Sequence, residues 1–66
     1  MRKTVVTIDR IEPTGNVFVH EASGKRGFFT NTTPRSGELE LQEGASLDVD
    51  VTDIGEVMVI KSARSL

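Results

Sequence analysis

The sequence predicts an all-β chain, a small five-stranded antiparallel β-barrel that is closed or partly open. Three observations point there. β-Branched residues recur in five short runs with period-two alternation, and no long helical period appears. Residues that favour turns fall between the runs at short, regular spacing. The chain has 66 residues, no cysteine and one histidine, so neither a disulfide nor a structural zinc site can support it. Stability must then come from one compact apolar core in a single domain spanning 1–66. Closing the sheet also removes the unpaired edges that promote aggregation.

Thr4 to Glu12 reads as the first strand. Val6 and Ile8 share a face, and Ile11 falls out of step with them, which predicts a bulge or sharp bend near Asp9-Arg10. Pro13-Thr14-Gly15-Asn16 is a turn. Val17 to His20 is the second strand, Ser23-Gly24-Lys25 a hairpin-like connection, and Gly27 to Asn31 the third strand. Thr32 to Gly44 is the longest connection, opened by Thr33-Pro34 in extended form because the residue before proline avoids the helical region. Within it Glu38-Leu39-Glu40-Leu41 alternates like a short strand, with one helical turn as the alternative. Leu47 to Asp53 is the fourth strand, with Leu47, Val49 and Val51 inward and Asp48, Asp50 and Thr52 on a solvated acidic outer face. Ile54-Gly55-Glu56 turns into the fifth strand, Val57 to Lys61, and Ser62 to Leu66 reads as a frayed tail. The long connection between strands three and four suits an oligonucleotide-binding barrel (OB-fold), which commonly carries an extra element there. An SH3-like barrel is the competing fold.

Net charge is −2, but it is unevenly spread. Residues 1–35 carry six basic against three acidic residues, and residues 36–66 carry two basic against seven acidic. The total argues against tight non-specific binding to duplex DNA, and the polarity permits a local positive patch. Behind Met1-Arg2-Lys3 the apolar run is only Val5-Val6, too short for a secretory signal, and no stretch approaches a membrane span. A cytoplasmic, soluble chain without membrane association is expected.

Val17-Phe18-Val19-His20 is the most informative tetrapeptide. Alternation turns Val17 and Val19 to the core and Phe18 and His20 outward. An exposed phenylalanine is costly in water unless something stacks on it, and a nucleic-acid base does so whatever its identity. The bland alternative puts Phe18 under a loop. In Gly27-Phe28-Phe29-Thr30 one phenylalanine faces the core and the other the surface. Phe28 with Thr30 is the expected outer pair, although one bulge reverses that parity. Lys25 and Arg26 stand at the end of this hairpin, where they can meet phosphates, as can Arg10.

On these residues the chain resembles known families. Ile8-Asp9-Arg10-Ile11-Glu12-Pro13-Thr14-Gly15-Asn16-Val17-Phe18-Val19, then Gly27-Phe28-Phe29-Thr30, then Glu43-Gly44, Leu47 to Asp53 and Gly55-Glu56-Val57, resembles the RNA-binding repeat first described in the S-one ribosomal protein. Val17-Phe18-Val19-His20 is also similar to the second RNA-contacting motif of cold-shock domains, although there the Gly-Phe motif comes first. The Val-Phe-Val strand and the closing strand are similar to those of a TRAM domain. The S-one-type resemblance implies RNA contacts at Phe18 and at Asp53 near the last turn. Its other contact positions hold Thr14, Thr30 and Glu56 here, where the family has an aromatic, a histidine and a basic residue. His20 can take the place of the missing histidine from the neighbouring strand.

The leading expectation is therefore a small binder of single-stranded RNA, with single-stranded DNA as the lesser option. Phe18, His20 and Phe28 stack bases; Lys25, Arg26 and Arg10 meet phosphates; Thr30 and Asp53 complete the face. The alternative is a protein-interaction module, in which the barrel face or the acidic second half docks a partner such as a ribosomal protein. No nucleophile–base pair, P-loop or metal-ligand set appears, so neither an enzyme nor a cofactor is expected. Asp48 and Asp50 lie two apart and could share a cation, but a solvated acidic strand is the ordinary case. Asn31-Thr32-Thr33 fits a glycosylation acceptor only in a secreted chain.

Overall fold

The computed structural model describes residues 1–66. Six strands form one sheet: β1 (Arg2–Ile11), β2 (Val17–Glu21), β3 (Arg26–Phe29), β4 (Arg35–Ser36), β5 (Ser46–Ile54) and β6 (Val57–Ser65). They lie in the order β3-β2-β1-β5-β6-β4, and β3 also pairs with β6. Five strands therefore close a ring, with β4 appended to β6. An odd number of strands in a closed ring cannot alternate direction throughout, so one seam has to be parallel. That seam is β3–β6, where Arg26, Gly27 and Phe28 face Val57, Met58 and Val59. The other four junctions are antiparallel. The result is the small OB-like barrel that the strand spacing predicts.

The expected bulge is present. Ile8 pairs with Val19 and Arg10 with Phe18, which leaves Asp9 as the extra residue. The slip turns Ile11 back toward the core, against which it is partly buried. A second irregularity, at Lys61, lets β6 bend around the ring.

Inside lie eleven apolar residues, among them Val6, Ile8, Val17, Val19, Phe29 and Met58. Phe29 is the bulkiest of them and is 1% exposed. The two ends of the barrel are sealed differently. At the end near Ile11, Leu39, Leu41 and Ala45 from the long connection pack on the core. Ala45 O accepts from Ile8 N at 2.9 Å, and Ile8 O from Gly44 N at 2.8 Å.

At the opposite end, inward-directed positions of β1, β2 and β5 become polar and form an ion cluster. Glu21, 9% exposed, accepts from Arg2, Thr4 and Ser23 at 2.8–2.9 Å, with a longer Arg2 contact at 3.4 Å. These four contacts use both of its oxygens, so the buried carboxylate is fully hydrogen-bonded. The guanidinium of Arg2, helped by the Thr4 and Ser23 hydroxyls, lowers the Glu21 pKa to about 2.

Three sequence expectations change. Ser62 to Ser65 is not a frayed tail: it continues β6, held between β5 and β4, with Ala63 in the core. Glu38 to Leu41 is neither strand nor helix; its alternation serves to place Leu39 and Leu41 on the core. The acidic face of β5 is not simply solvated. Arg64 reaches across from β6 to Asp48 Oδ2 at 3.0 Å and Asp50 Oδ2 at 2.9 Å, and Ser62 donates to Asp50 at 2.7 Å. Arg64 and Ser62 together lower the Asp50 pKa to about 2. No helix is present, and so none is long and apolar enough to cross a membrane.

Candidate nucleic-acid interface

Cross-strand register lays two rows of side chains over the outer surface of β1, β2, β3 and β6. One row is Arg10, Phe18, Phe28 and Val59; the other is Thr7, His20, Arg26 and Val57. Val17, Val19 and Phe29 are buried beneath them, which settles the parity of both aromatic strands. Phe28 is the outward phenylalanine, 41% exposed. Its ring lies 6.4 Å from that of Phe18 at an interplanar angle of 37°, within the range of favourable aromatic pairs.

Beside the Phe18 ring opens a cleft of about 580 Å³, lined by the side chains of Asp9, Arg10, Phe18, His20 and Arg26 over the backbone of Gly24 and Gly27. The bulge is what builds its rim, because the extra residue brings Asp9 and Arg10 to the surface together. Arg10 lies over the Phe18 ring at 4.7 Å from the centroid, a cation–π contact, with only a 3.5 Å pair to Glu12. His20 Nδ1 is 2.7 Å from Asp9 Oδ1. Arg26 forms no ion pair and is exposed. The floor is close because Gly24, at φ +93°, makes the tight hairpin turn that a side chain would strain, and Gly27 carries no side chain.

Of the residues expected from sequence, Arg10, Phe18, His20 and Arg26 thus meet around one cleft, with Phe28 on its flank. Lys25, Asp53 and Thr30 do not join them. Lys25 Nζ is 2.8 Å from Asp53 Oδ1, and Asp53 also takes Arg2 Nε and Nη2 at 2.9 and 2.8 Å. Both residues belong to the ion cluster that closes the barrel end. Arg2 and Lys25 hold the Asp53 carboxyl well below the usual carboxylate range. Thr30 lies one residue past β3 and is spent on a turn: its hydroxyl meets that of Thr32 at 2.9 Å and its amide donates to Thr33 Oγ1 at 3.1 Å.

Two parts of this surface carry little signal in the sequence. The sequence marks Asp9 only as a bulge residue, although a bulge next to a period-two strand turns its extra side chain outward. Val57, Val59 and Ile54, with Val57 at 45% and Ile54 at 59% exposure, extend the apolar strip from Phe28 onto β6 and the last hairpin. The parallel seam that brings β6 beside β3 is a long-range pairing with no local signal. The chain matches no protein-family model, no curated protein and no solved structure.

Proposed function

We propose that the chain binds single-stranded nucleic acid, RNA first, on the outer face of β2 and β3. The observation that carries the reading is the Phe18–Phe28 pair: two partly exposed rings on adjacent strands, 6.4 Å apart, beside a cleft that holds Arg10 and Arg26. Burying a phenylalanine contributes about 1.5–3 kcal/mol, so two left in water are a cost that a stacked ligand recovers. Bases stacked on aromatic side chains contribute about 1–3 kcal/mol each, whatever their identity. The resemblance of these strands to RNA-binding repeats points the same way.

Arg10 guards the Phe18 face, and an incoming base displaces its guanidinium or slides beneath it. Released, that guanidinium is free for a phosphate. Lys25 is held by Asp53, so Arg10 and Arg26 are the cations left to the site. With one or two phosphates neutralised, log K falls with log salt at a slope of about −1, the single-strand value being about −0.7 per contact. The protein-docking alternative is weakened on one point, because Asp48, Asp50 and Asp53 are already neutralised within the chain.

The test is fluorescence anisotropy with a short labelled single-stranded RNA at two salt concentrations. Phe18→Ala is expected to weaken binding roughly tenfold without shifting the salt slope, since stacking on one base is lost. Unchanged affinity in Phe18→Ala refutes the stacking site.

A further inference from the structure

We propose that this cleft selects guanine within a single strand, and that Asp9 is the residue that decides it; the inference rests on the nucleic-acid reading of the same face. The starting observation is a carboxylate inside a cleft whose other charged residues are two arginines, Arg10 and Arg26. It repels phosphate, so the group that meets it must donate hydrogen bonds. Asp9 is accessible, its side chain 43% exposed. Its Oδ1 lies 2.7 Å from His20 Nδ1. A carboxylate only accepts, so that nitrogen carries the hydrogen, and the contact fixes the direction of the carboxylate. The Asp9 carboxylate makes no other hydrogen bond or ion pair within the chain, and an ionised carboxylate has about four acceptor sites.

The bases differ in what they offer such a group. Guanine places two donors side by side, N1–H and the N2 amino group, and two acceptors, O6 and N7, on the adjoining edge. Adenine and cytosine set their amino donor beside a ring nitrogen that accepts, and uracil sets N3–H between two carbonyls. Against those edges one carboxylate oxygen faces a lone pair; against guanine both oxygens face donors. Arg10 and Arg26 line the same cleft, and a guanidinium is the common partner of O6 and N7. The cleft thus holds acceptors for one edge of guanine and donors for the next, with the Phe18 ring as the stacking platform. Its volume of about 580 Å³ lies in the range of small-ligand pockets and accommodates a purine.

The experiment uses the full chain and labelled oligouridylates of about seven nucleotides whose central base is uracil, guanine or hypoxanthine, at low salt. Guanine is expected to tighten binding about five- to tenfold over uracil, the lower end of a bidentate contact because the site is open to water. Hypoxanthine, which lacks the N2 amino group, should lose most of that gain. Asp9→Asn should bring the guanine and hypoxanthine strands to the same affinity, since the two bases differ only in the amino group that Asp9 accepts, and should bind the all-uracil strand slightly more tightly, because a negative charge has gone. Hypoxanthine probes the same contact from the ligand side, without touching the fold. Equal binding of the uracil and guanine strands by the unaltered protein overturns the selection and leaves the nucleic-acid reading standing. A preference for guanine over hypoxanthine that survives Asp9→Asn overturns the role of Asp9. Failure of every strand to bind overturns both readings together.

Discussion

Replacing Gly27 with alanine tests how the barrel closes. Gly27 faces Met58 across the parallel β3–β6 seam. A Cβ built there meets Met58 O at 2.7 Å and Met58 Cβ at 3.0 Å. The first of these atoms belongs to the backbone and cannot swing away, so the two strands must part. Gly27 does not sit at positive φ, which makes alanine conformationally acceptable and leaves sterics as the cause. Two effects oppose each other. Gly→Ala stabilises by about 0.4–1 kcal/mol through the unfolded chain. Overpacking a tight contact costs about 1–3 kcal/mol, and the backbone clash puts this site at the upper end. The expected net loss is about 2 kcal/mol, against a total of about 3–10 kcal/mol for a chain of this size. With about 4–8 °C per kcal/mol for small domains, Tm should fall by about 8–16 °C. Thermal unfolding followed by far-UV circular dichroism measures this, and amide exchange should show lost protection at Arg26 to Phe28 and Val57 to Val59. A Tm equal to or above that of the unaltered chain would refute the claim that the seam depends on the missing side chain.

Acid should unfold the protein through its ion clusters. The pKa values of Glu21 and Asp50 are lowered from 4.5 and 3.8 to about 2, so their contribution is fully present above about pH 5 and is lost as pH falls toward 2. Tm should therefore drop across that interval, and Arg2→Ala, which removes the main partner of Glu21, should lower Tm at neutral pH and flatten the acid limb; an unchanged limb in that variant would count against the cluster. The two basic residues of the hairpin should separate cleanly. Arg26→Ala is expected to reduce the salt slope of RNA binding by about 0.7 with little change in Tm, while Lys25→Ala, which removes one of the two partners of Asp53, should lower Tm slightly and leave the slope alone. The reverse pattern, read by anisotropy and melting curves, would move the phosphate site to Lys25.

Most of the barrel was legible because its strands are half-buried and signal themselves by period two. Val17/Val19 against Phe18/His20, and Leu47/Val49/Val51 against Asp48/Asp50, needed no knowledge of partners. The bulge was also legible, since Ile8 and Ile11 cannot share a face on a regular strand. The path of residues 30–45 was not. Its backbone follows no repeating pattern, and Leu39 and Leu41 alternate because both reach one core from an irregular segment. Nor was the length of β6, because polar Ser62 and Arg64 are outward positions of a strand whose inward mark is the single small residue Ala63.

The site divides along the same line. Residues whose direction follows from the periodicity of their own strand, Phe18, His20 and Phe28, lie on the outer face that alternation predicts. Residues whose fate depends on a distant charge were not, and Lys25 and Asp53 show why. Each is a plausible surface charge by sequence, yet they lie 28 positions apart and meet because the β3–β6 seam sets Arg26 opposite Val57, beside the hairpin that joins β5 to β6. The barrel end is where this happens, since inward positions there have left the apolar core but not yet reached open water. A carboxylate at such a place is stable only when donors surround it, and Glu21 and Asp53 gather Arg2, Lys25, Thr4 and Ser23 for that purpose. Four of the six basic residues of the first 35 are thus drawn away from, or lie outside, the cleft, and what remains beside Phe18 is two arginines and one outward carboxylate. That balance suits a site that reads a base more than one that grips a backbone: affinity should depend more on which base is stacked than on how many phosphates pass.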